Sequence, residues 1–390
     1  MLHSYFADMH IHIGRDMYGK PVKITGSKSL TLTNILKESS RNKGIHMVGV
    51  IDSHAPAVQQ ELKSLINQGQ AHELQDGGVR FEEVTLILGS EIEVYDEHCH
   101  GPIHVLCYFP TLEKIEHFSK WLVTKMKNIT LSSQRYYGTA KELQYKVKEL
   151  GGIFIPAHVF TPFKSLYGKG VKRSLEEVFD PDLIDGIELG LSSDTEMADQ
   201  IKELHRYTFV TNSDAHSLAK IAREYQEVVM AEPSFKEFEW SLHDVGDRKI
   251  ARNFGMNPKL GKYHTTVCDH CLEQVSPGTS ECPSCGSKKI IKGVFDRINE
   301  LADAKEKHKG RPPYLYQVPL EYLPKLGPKT FDKLLSHFHT EMNVIHHASL
   351  EELREIVPEK LALSIIHMRE GKLQIKAGGG GKYGSIRSSN

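Results

Sequence analysis

Imidazoles and carboxylates recur at fixed positions relative to the apolar runs of this sequence. His10 and His12 stand two apart in Asp-Met-His-Ile-His, behind the first strand-like run. Asp52 and His54 follow Val48–Ile51, and Glu91 closes Leu-Gly-Ser-Glu within Thr85–Val94. His104 opens Ile103–Phe109, His158 follows Ile-Pro-Ala, and Asp214 and His216 follow Tyr207–Thr211. Side chains two apart on an extended segment point the same way. The pairs His10/His12, Asp52/His54 and Asp214/His216 can therefore each aim two donors at one cavity. Nitrogen and oxygen donors of this kind suit zinc, manganese or iron. Nine candidates exceed one tetrahedral site and can serve two or three ions, with Glu91 and Asp214 able to bridge. Ions held close together clamp the attacking and leaving oxygens of an in-line phosphoryl displacement, and a bound ion brings the pKa of water to ~7. Single histidines such as His46, His117 and His205 are read as structural or exposed, while His98 and His100, in a loop beside Glu91, stay open.

The elements that must position these groups are strands alternating with helices. Further strand-like runs are Gly152–Ala157, Gly186–Leu189 and Glu227–Met230, and Thr111–Lys127 and Thr139–Leu150 are amphipathic. Such alternation predicts a parallel sheet or a βα barrel. In that class the C-terminal strand ends converge on one face, which holds the site. Gly151-Gly152 predicts a helix stop before the next strand.

Cys268-Asp-His-Cys271 and Cys282-Pro-Ser-Cys285 are paired C-x-x-C knuckles, which predict a closed tetrahedral zinc site with a structural role. Lys288, Lys289 and Lys292 follow them. Cys99 and Cys107 are read as ordinary thiols. Val294, Ile298 and Leu301 space a charged helix over residues 293–309. The turn Leu326-Gly-Pro-Lys329 predicts a helix-hairpin-helix unit, with Gly327 in the special backbone conformation and Lys325 and Lys329 facing a DNA phosphate. Residues 350–365 are read as a degenerate second hairpin.

The composition, 39% hydrophobic and 25% charged, is that of a globular protein. No apolar run reaches the ~18 residues of a membrane span. The first residues lack a basic segment followed by an apolar one, so no secretory signal, a cytoplasmic, nucleoid-associated location and no membrane partner are expected. Net charge is −1, but residues 255–390 carry +5 and residues 1–254 carry −6. The basic third hints at a polyanionic partner.

The ordered set Asp-x-His-x-His, Asp-Ser-His, Gly-Ser-Glu, His104, His158, Ser-Asp-Ala-His resembles the PHP (polymerase and histidinol phosphatase) phosphoesterase superfamily over roughly residues 1–250. The resemblance implies an α/β fold, a distorted seven-unit βα barrel, with a two- or three-ion site of zinc, manganese or magnesium. It implies His10, His12, His54, Glu91, His104, His158, Asp214 and His216 as ligands, with His10, His12, Glu91, Asp214 and His216 catalytic. Ser53 separates Asp52 from His54 where many relatives have Asp-His, so Asp52 is read as a ligand or as the orienter of an imidazole. Asp16 is the nearby candidate for an added ligand. The expected division is a metal-dependent domain over 1–252, a zinc module over 253–292, a helical connector over 293–312, a helix-hairpin-helix-like region over 313–376 and an unstructured Gly-rich tail over 377–390. This order resembles a DNA-repair endonuclease of the superfamily. It implies damaged DNA, single- or double-stranded, as partner and a cut 5′ to uracil, hypoxanthine, xanthine or an abasic site, leaving 3′-hydroxyl and 5′-phosphate. An extruded base would meet Tyr18, or Phe163, Lys164 and Tyr167, in loops near the metal motifs. A histidinol-phosphate-like phosphatase, a 3′–5′ exonuclease and a DNA-binding adaptor remain alternatives.

Overall fold

The computed structural model describes residues 1–261, 263–376 and 384–386. β1 (His3–Ile11) and β2 (Met47–Val50) run parallel. The short strands β3 (Ala71–Glu73) and β4 (Val79–Phe81) form a hairpin on the edge of β5 (Val84–Val94), whose first half runs parallel to β2. β6 (Ile103–Phe109) returns antiparallel along the second half of β5, β7 (Arg135–Tyr136) joins the end of β5 in parallel, and β8 (Ile153–Pro156) is antiparallel to β6. β9 (Ile187–Glu188) and β10 (Phe209–Val210) form a parallel pair. β11 (Tyr225–Met230) lies antiparallel to β1, and β12 (Lys249–Gly255) antiparallel to β11. Strand directions are thus mixed, although the expected α/β alternation holds.

Barrel-like closure shows in the core. Met9, Met47, Ile87, Leu106, Ile155 and Val228, each from a different strand, meet in one apolar cluster. Phe235, Phe238 and Leu242 plug it from one helix, Phe235–Leu242. The alternate residues Val105, Cys107, Phe109 and Phe154 face the other way, into the larger cluster beneath the outer helices. This two-residue period is that of a strand buried on both faces. Gly49 permits the close approach of β2 to β1, since a Cβ there would run into the Met9 carbonyl.

The helices in chain order begin with α1 (Leu32–Lys37), α2 (Pro56–Asn67), α3 (Leu112–Val123) and α4 (Ala140–Glu149). Thr111 and Thr139 cap α3 and α4 by accepting from the backbone N–H of Lys114 and Glu142. Gly151 follows α4 at φ +72°, as the sequence predicts. Next come α5 (Thr195–Ala198), α6 (Phe235–Leu242) and α7 (Val294–Leu301). The predicted helix over 293–309 stops at Leu301. The first domain captures the chain beyond it: Asp303 and Ala304 donate to the Gln200 carbonyl, and Arg311 bonds Asp199.

Two expected boundaries shift. The end placed at residue 252 falls inside β12, and β15 (Tyr314–Tyr316), assigned to the helical region, pairs with β12 as a further strand of the main sheet. Between them β13 (Val267–Cys268) and β14 (Ile290–Ile291) form a small hairpin around the cysteines. The region after β15 holds α8 (Pro328–Phe338), α9 (Leu350–Ile356) and α10 (Glu359–Arg369). Its predicted first hairpin differs. Leu320–Tyr322 is a single 3₁₀ turn, Lys325 takes the left-handed conformation at φ +72°, and Gly327 is extended. Pro328 disfavours the helical region for the residue before it, which accounts for Gly327. Lys325, Gly327 and Lys329 are nonetheless exposed. The helix pair α9–α10 turns at Val357-Pro358 without a glycine. β16 (Ile375–Lys376) pairs with β17 (Ser385–Ile386), so part of the predicted unstructured tail is a strand; residues 377–383 and 387–390 lie outside the described residues. Among the described residues no helix is long and apolar enough to cross a membrane.

Glu224 is fully buried between β11 and the start of the C-terminal part. Its Oε1 accepts from the Met256 N–H at 2.8 Å and its Oε2 has no hydrogen-bond partner. Burial pushes its carboxyl up to about 8. The unfolded chain loses this proton near pH 4.5 while the folded chain keeps it, so this group costs stability as pH rises from there to about 8. Glu224→Gln removes the cost. Its gain in melting temperature over the native protein should be small at pH 5 and grow by pH 8.5; a gain that is equal at both ends would refute the assignment.

Candidate metal centre

The strand ends deliver their side chains to one place. His10 stands at the end of β1, one residue before Ile11, and His12 follows the strand; Glu91 sits just past the part of β5 that pairs with β2, in the part that pairs with β6. β6 runs against β5, so its first residues, with His104, meet the far end of β5. β8 runs against β6 and ends level with that point, which places His158. Asp214 follows β10, and a bridge from Ile11 to Ala215 holds its segment beside β1. His158 and Asp214 take left-handed backbone at φ +31° and +47°, uncommon for residues with a Cβ. Gly190 lies against the His158 Cβ and leaves no room for a side chain of its own.

Two groups of ligand atoms result, His10–His12–Asp214 and Glu91–His104–His158, each with its atoms within 4.8 Å of one another. Glu91 joins them. Its Oε1 lies 2.9 Å from His104 Nδ1, 3.4 Å from His158 Nε2 and 3.5 Å from His10 Nε2. Asp214 Oδ1 lies 3.5 Å from His10 Nε2 and 3.4 Å from His12 Nε2. His10 Nε2, His12 Nε2 and Asp214 Oδ1 are buried without a hydrogen-bond partner. Buried polar atoms are normally satisfied, so three orphans converging on one point fit a cation.

The electrostatics agree. Burial lowers His10, but Glu188 and Asp214 outweigh it and hold the imidazole well above its ordinary range. Burial likewise lowers His12 and His104, but Asp52 and Glu91 respectively outweigh it and raise them. Burial pushes Glu91 up, yet His104 and Lys23 hold it well below the carboxylate range. Ionised carboxylates thus draw positive charge into the centre, and a divalent ion supplies it in place of ring protons.

Not every predicted ligand joins these groups. Asp52 Oδ2 lies 3.1 Å from His12 Nδ1 and accepts the Ile13 N–H at 2.8 Å, so it orients an imidazole. His54 Nδ1 is 2.8 Å from the Ser90 hydroxyl and its Nε2 3.4 Å from the Leu131 carbonyl. The His216 ring lies tilted against the His12 ring, centroids 4.6 Å apart, with Nδ1 3.0 Å from the Asp214 carbonyl. Both lie at the edge of the centre, outside the two groups. Asp16 accepts from the Tyr18 and Lys20 N–H groups at 2.9 Å and builds a turn instead of a ligand. Of the expected base-contacting residues, Phe163 lines a cavity of about 700 Å³ beside His158 and Asp214. Tyr167 is fully buried with its hydroxyl on Glu203, Lys164 pairs with Glu93 at 2.8 Å, and Tyr18 stands exposed, away from that cavity.

Sequence reasoning missed Glu188, although it lies within the predicted run Gly186–Leu189 and ends β9. It holds His10 Nδ1 at 3.0 Å, accepts the His158 N–H at 2.8 Å and the Asn212 amide at 2.8 Å. It also missed Lys23, Ser132 and Ser133, which stand in loops with no periodic signal.

The four cysteines form the other ligand group. Cys268 and Cys285 sulfurs are 3.6 Å apart, Cys271 and Cys282 sulfurs 3.5 Å, and none is in a disulfide. A zinc tetrathiolate with ~2.3 Å bonds has edges of roughly 3.8 Å. The apolar cluster here consists of Cys268, Val275 and Cys282 with Ile290 against it, too small a core to hold the segment without a cross-link.

Fold and site together define a metal-dependent hydrolase on an α/β scaffold. No protein-family model matches the chain. It is 54% identical over 382 residues to the uncharacterized protein YqxK of Bacillus subtilis, spanning 98% of this chain and 99% of that one. The crystal structure of PfuEndoQ, a lesion-specific endonuclease from Pyrococcus furiosus, superposes with a TM-score of 0.85 at 34% identity, covering 99% of this chain and 95% of that one. Endonuclease Q bound to a 27-mer duplex with an abasic lesion superposes at 0.84 with 33% identity, covering 100% and 97%. The chain belongs to the endonuclease Q family.

Two outcomes test the metal assignments. Glu188→Ala should lower metal affinity roughly 10–100-fold, measured as metal content after dialysis against graded chelator; native content throughout would sink its orienting role. Stripping zinc from the cysteine site should open residues 264–292 to limited proteolysis while the barrel resists. An unchanged digest of zinc-free protein would show that the ion does not hold this segment.

Proposed function

We propose that the protein is a DNA-repair endonuclease that hydrolyses the phosphodiester 5′ to a deaminated base (uracil, hypoxanthine or xanthine) or an abasic site, leaving 3′-hydroxyl and 5′-phosphate. The observation that carries the reading is the cavity that opens on the metal centre. His158, Glu188 and Asp214 lie at its metal side, and Phe163, Leu191 and Met256 give it apolar walls. A nucleotide turned out of the helix meets both surfaces at once, its base in the cavity and its phosphate at the ligands. The relatives support the same reading: one is lesion-specific, and another is complexed with a duplex carrying an abasic site.

His10, His12, Asp214, Glu91, His104 and His158 would hold two divalent ions, with His54 and His216 at hand for a third. Bound ions supply Lewis-acid charge and a water of lowered pKa. The chain's own part is orientation. Glu188 and Asp52 fix the rings of His10 and His12 through Nδ1, turning Nε2 inward. Arg223 bonds the Ser213 carbonyl at 2.7 Å and the Asp214 carbonyl at 3.3 Å, pinning the strained loop. Water adds to phosphorus and the bond to the 3′ oxygen breaks.

A small-molecule phosphatase with an unrelated tail fits less well. Val318, Tyr322 and Ile386 from the C-terminal part are walls of the cavity. The exposed Lys325 and Lys329 are suited to backbone contacts further along the duplex.

End-labelled duplexes carrying one deoxyuridine, one deoxyinosine, one abasic site or no lesion, incubated with Mg²⁺ or Mn²⁺, decide the matter. A single cut 5′ to each lesion and none in the control is expected; ladders on every duplex would indicate an exonuclease and overturn the proposal. Asp214→Ala should abolish cutting and leave duplex affinity within a few-fold. Cleavage retained by that variant would remove Asp214 from the reaction.

A further inference from the structure

Lys23 reaches the metal centre from the loop that follows His12. Backbone bonds fix its position: Val22 N–H donates to the Gly14 carbonyl, Lys23 N–H to the Ile13 carbonyl at 2.8 Å, and Ser132 N–H to the Val22 carbonyl at 3.0 Å. Gly14 makes the inward path possible, since a Cβ there would run into the Ser27 carbonyl. The ammonium donates to the Ser133 hydroxyl at 2.7 Å and lies 3.4 Å from Glu91 Oε2. Its side chain is 17% exposed, so it sits at the mouth of the centre and still meets solvent. Among the described residues it is the only lysine or arginine in an ion pair with the carboxylate of Glu91 or Asp214.

We propose that Lys23 is a catalytic residue that binds a non-bridging oxygen of the scissile phosphate and stabilises the charge that builds there in the transition state. The proposal rests on the phosphodiesterase reading above. Its first support is competition for Glu91. A carboxylate that ligates a divalent cation has little charge left for an ammonium 3.4 Å away. With divalent ions held there, Lys23 would lack a sufficient counter-ion, and a phosphodiester oxygen is the anion such a centre would admit. Its second support is anchorage. Ser133, itself at φ +53°, keeps the ammonium in place whichever anion it faces. A preorganised donor of this kind costs no reorganisation when charge develops. The ammonium keeps its three protons throughout: water supplies the new P–O bond, the 3′ oxygen leaves with the electron pair, and Lys23 changes no bond.

Two substitutions separate charge from shape. Lys23→Gln removes the charge and leaves a polar amide on a side chain one bond shorter; Lys23→Arg keeps the charge. Single-turnover cleavage of the abasic duplex should fall about 10²-fold or more in Lys23→Gln and recover most of that loss in Lys23→Arg. Metal content should match the native protein in both. In the uncleaving Asp214→Ala background, the salt dependence of duplex binding should lose roughly 0.9 of slope with the Gln variant, the signature of one lost phosphate contact. Native rates in Lys23→Gln, or a loss of bound metal in proportion to the loss of rate, would overturn the proposal in favour of a merely structural lysine. Bis(p-nitrophenyl) phosphate, a diester without lesion or base pair, separates the two readings. Native protein that turns it over but leaves lesion duplexes intact refutes the lesion reading alone, and the Gln/Arg comparison on the ester then decides Lys23. Native protein inert towards both substrates would overturn both.

Discussion

Everything else in this chain is arranged around one expensive placement, a glutamate carboxylate almost wholly removed from water. Glu91 is 1% exposed, and an isolated carboxylate at that depth would shed its charge. It does not, because His10, His104, His158 and Lys23 reach it from four separate segments. Each of those segments must therefore be held to within a fraction of an ångström by something that does not titrate. The barrel core does this. Its interior cluster takes residues from most of the strands whose ends carry the donors, so a shift of one strand disturbs packing before it disturbs the centre. The left-handed His158 and Asp214 are the local strain that such a scaffold tolerates.

The outer ring of contacts matters as much. Asp52, Glu188 and Ser90 each hold a histidine by its second nitrogen, so the imidazoles arrive already turned. The cavity next to them is completed from far away in sequence. Residues 318–322 and 384–386 stand over the same space as His158 and Asp214. The cavity and the metal centre are thus walled from the two ends of the chain, and the likeness to the endonuclease Q structures likewise extends over the whole length and not only over the barrel.

Much of this was legible in the sequence, and for a physical reason. Strand ends are marked by where apolar runs stop, and His10, His12, His158 and Asp214 stand at or after such stops, while Glu91 and His104 are polar interruptions inside otherwise apolar runs. Glu188 was missed because it lies inside its own short run, where a lone acid carries no distinguishing pattern. Lys23, Ser132 and Ser133 could not be read at all, because loop-to-loop pairing leaves no periodicity. Asp16 misled: its carboxylate serves its own turn, and proximity in sequence to a metal motif says nothing of direction. Tyr167 misled similarly, since its aromatic ring belongs to the core beneath Phe160. At the predicted hairpin the conformation of Gly327 differs, because the proline after it, which the sequence displays, dictates an extended backbone there and Lys325 takes the left-handed turn position.

The parallel pairing of β12 with β15 has a consequence for how the molecule is tied together. The chain leaves the sheet at Gly255 and re-enters it alongside at Tyr314, so everything between, the cysteine hairpin and α7 included, is a closed excursion with both feet on one edge. Lengthening or shortening such an excursion changes its closure entropy only slowly. The cysteine hairpin is thus an inserted cassette whose length can change while the sheet beneath it keeps its register, although the first residues of the excursion, Met256 and Leu260, still reach the cavity beside the metal centre.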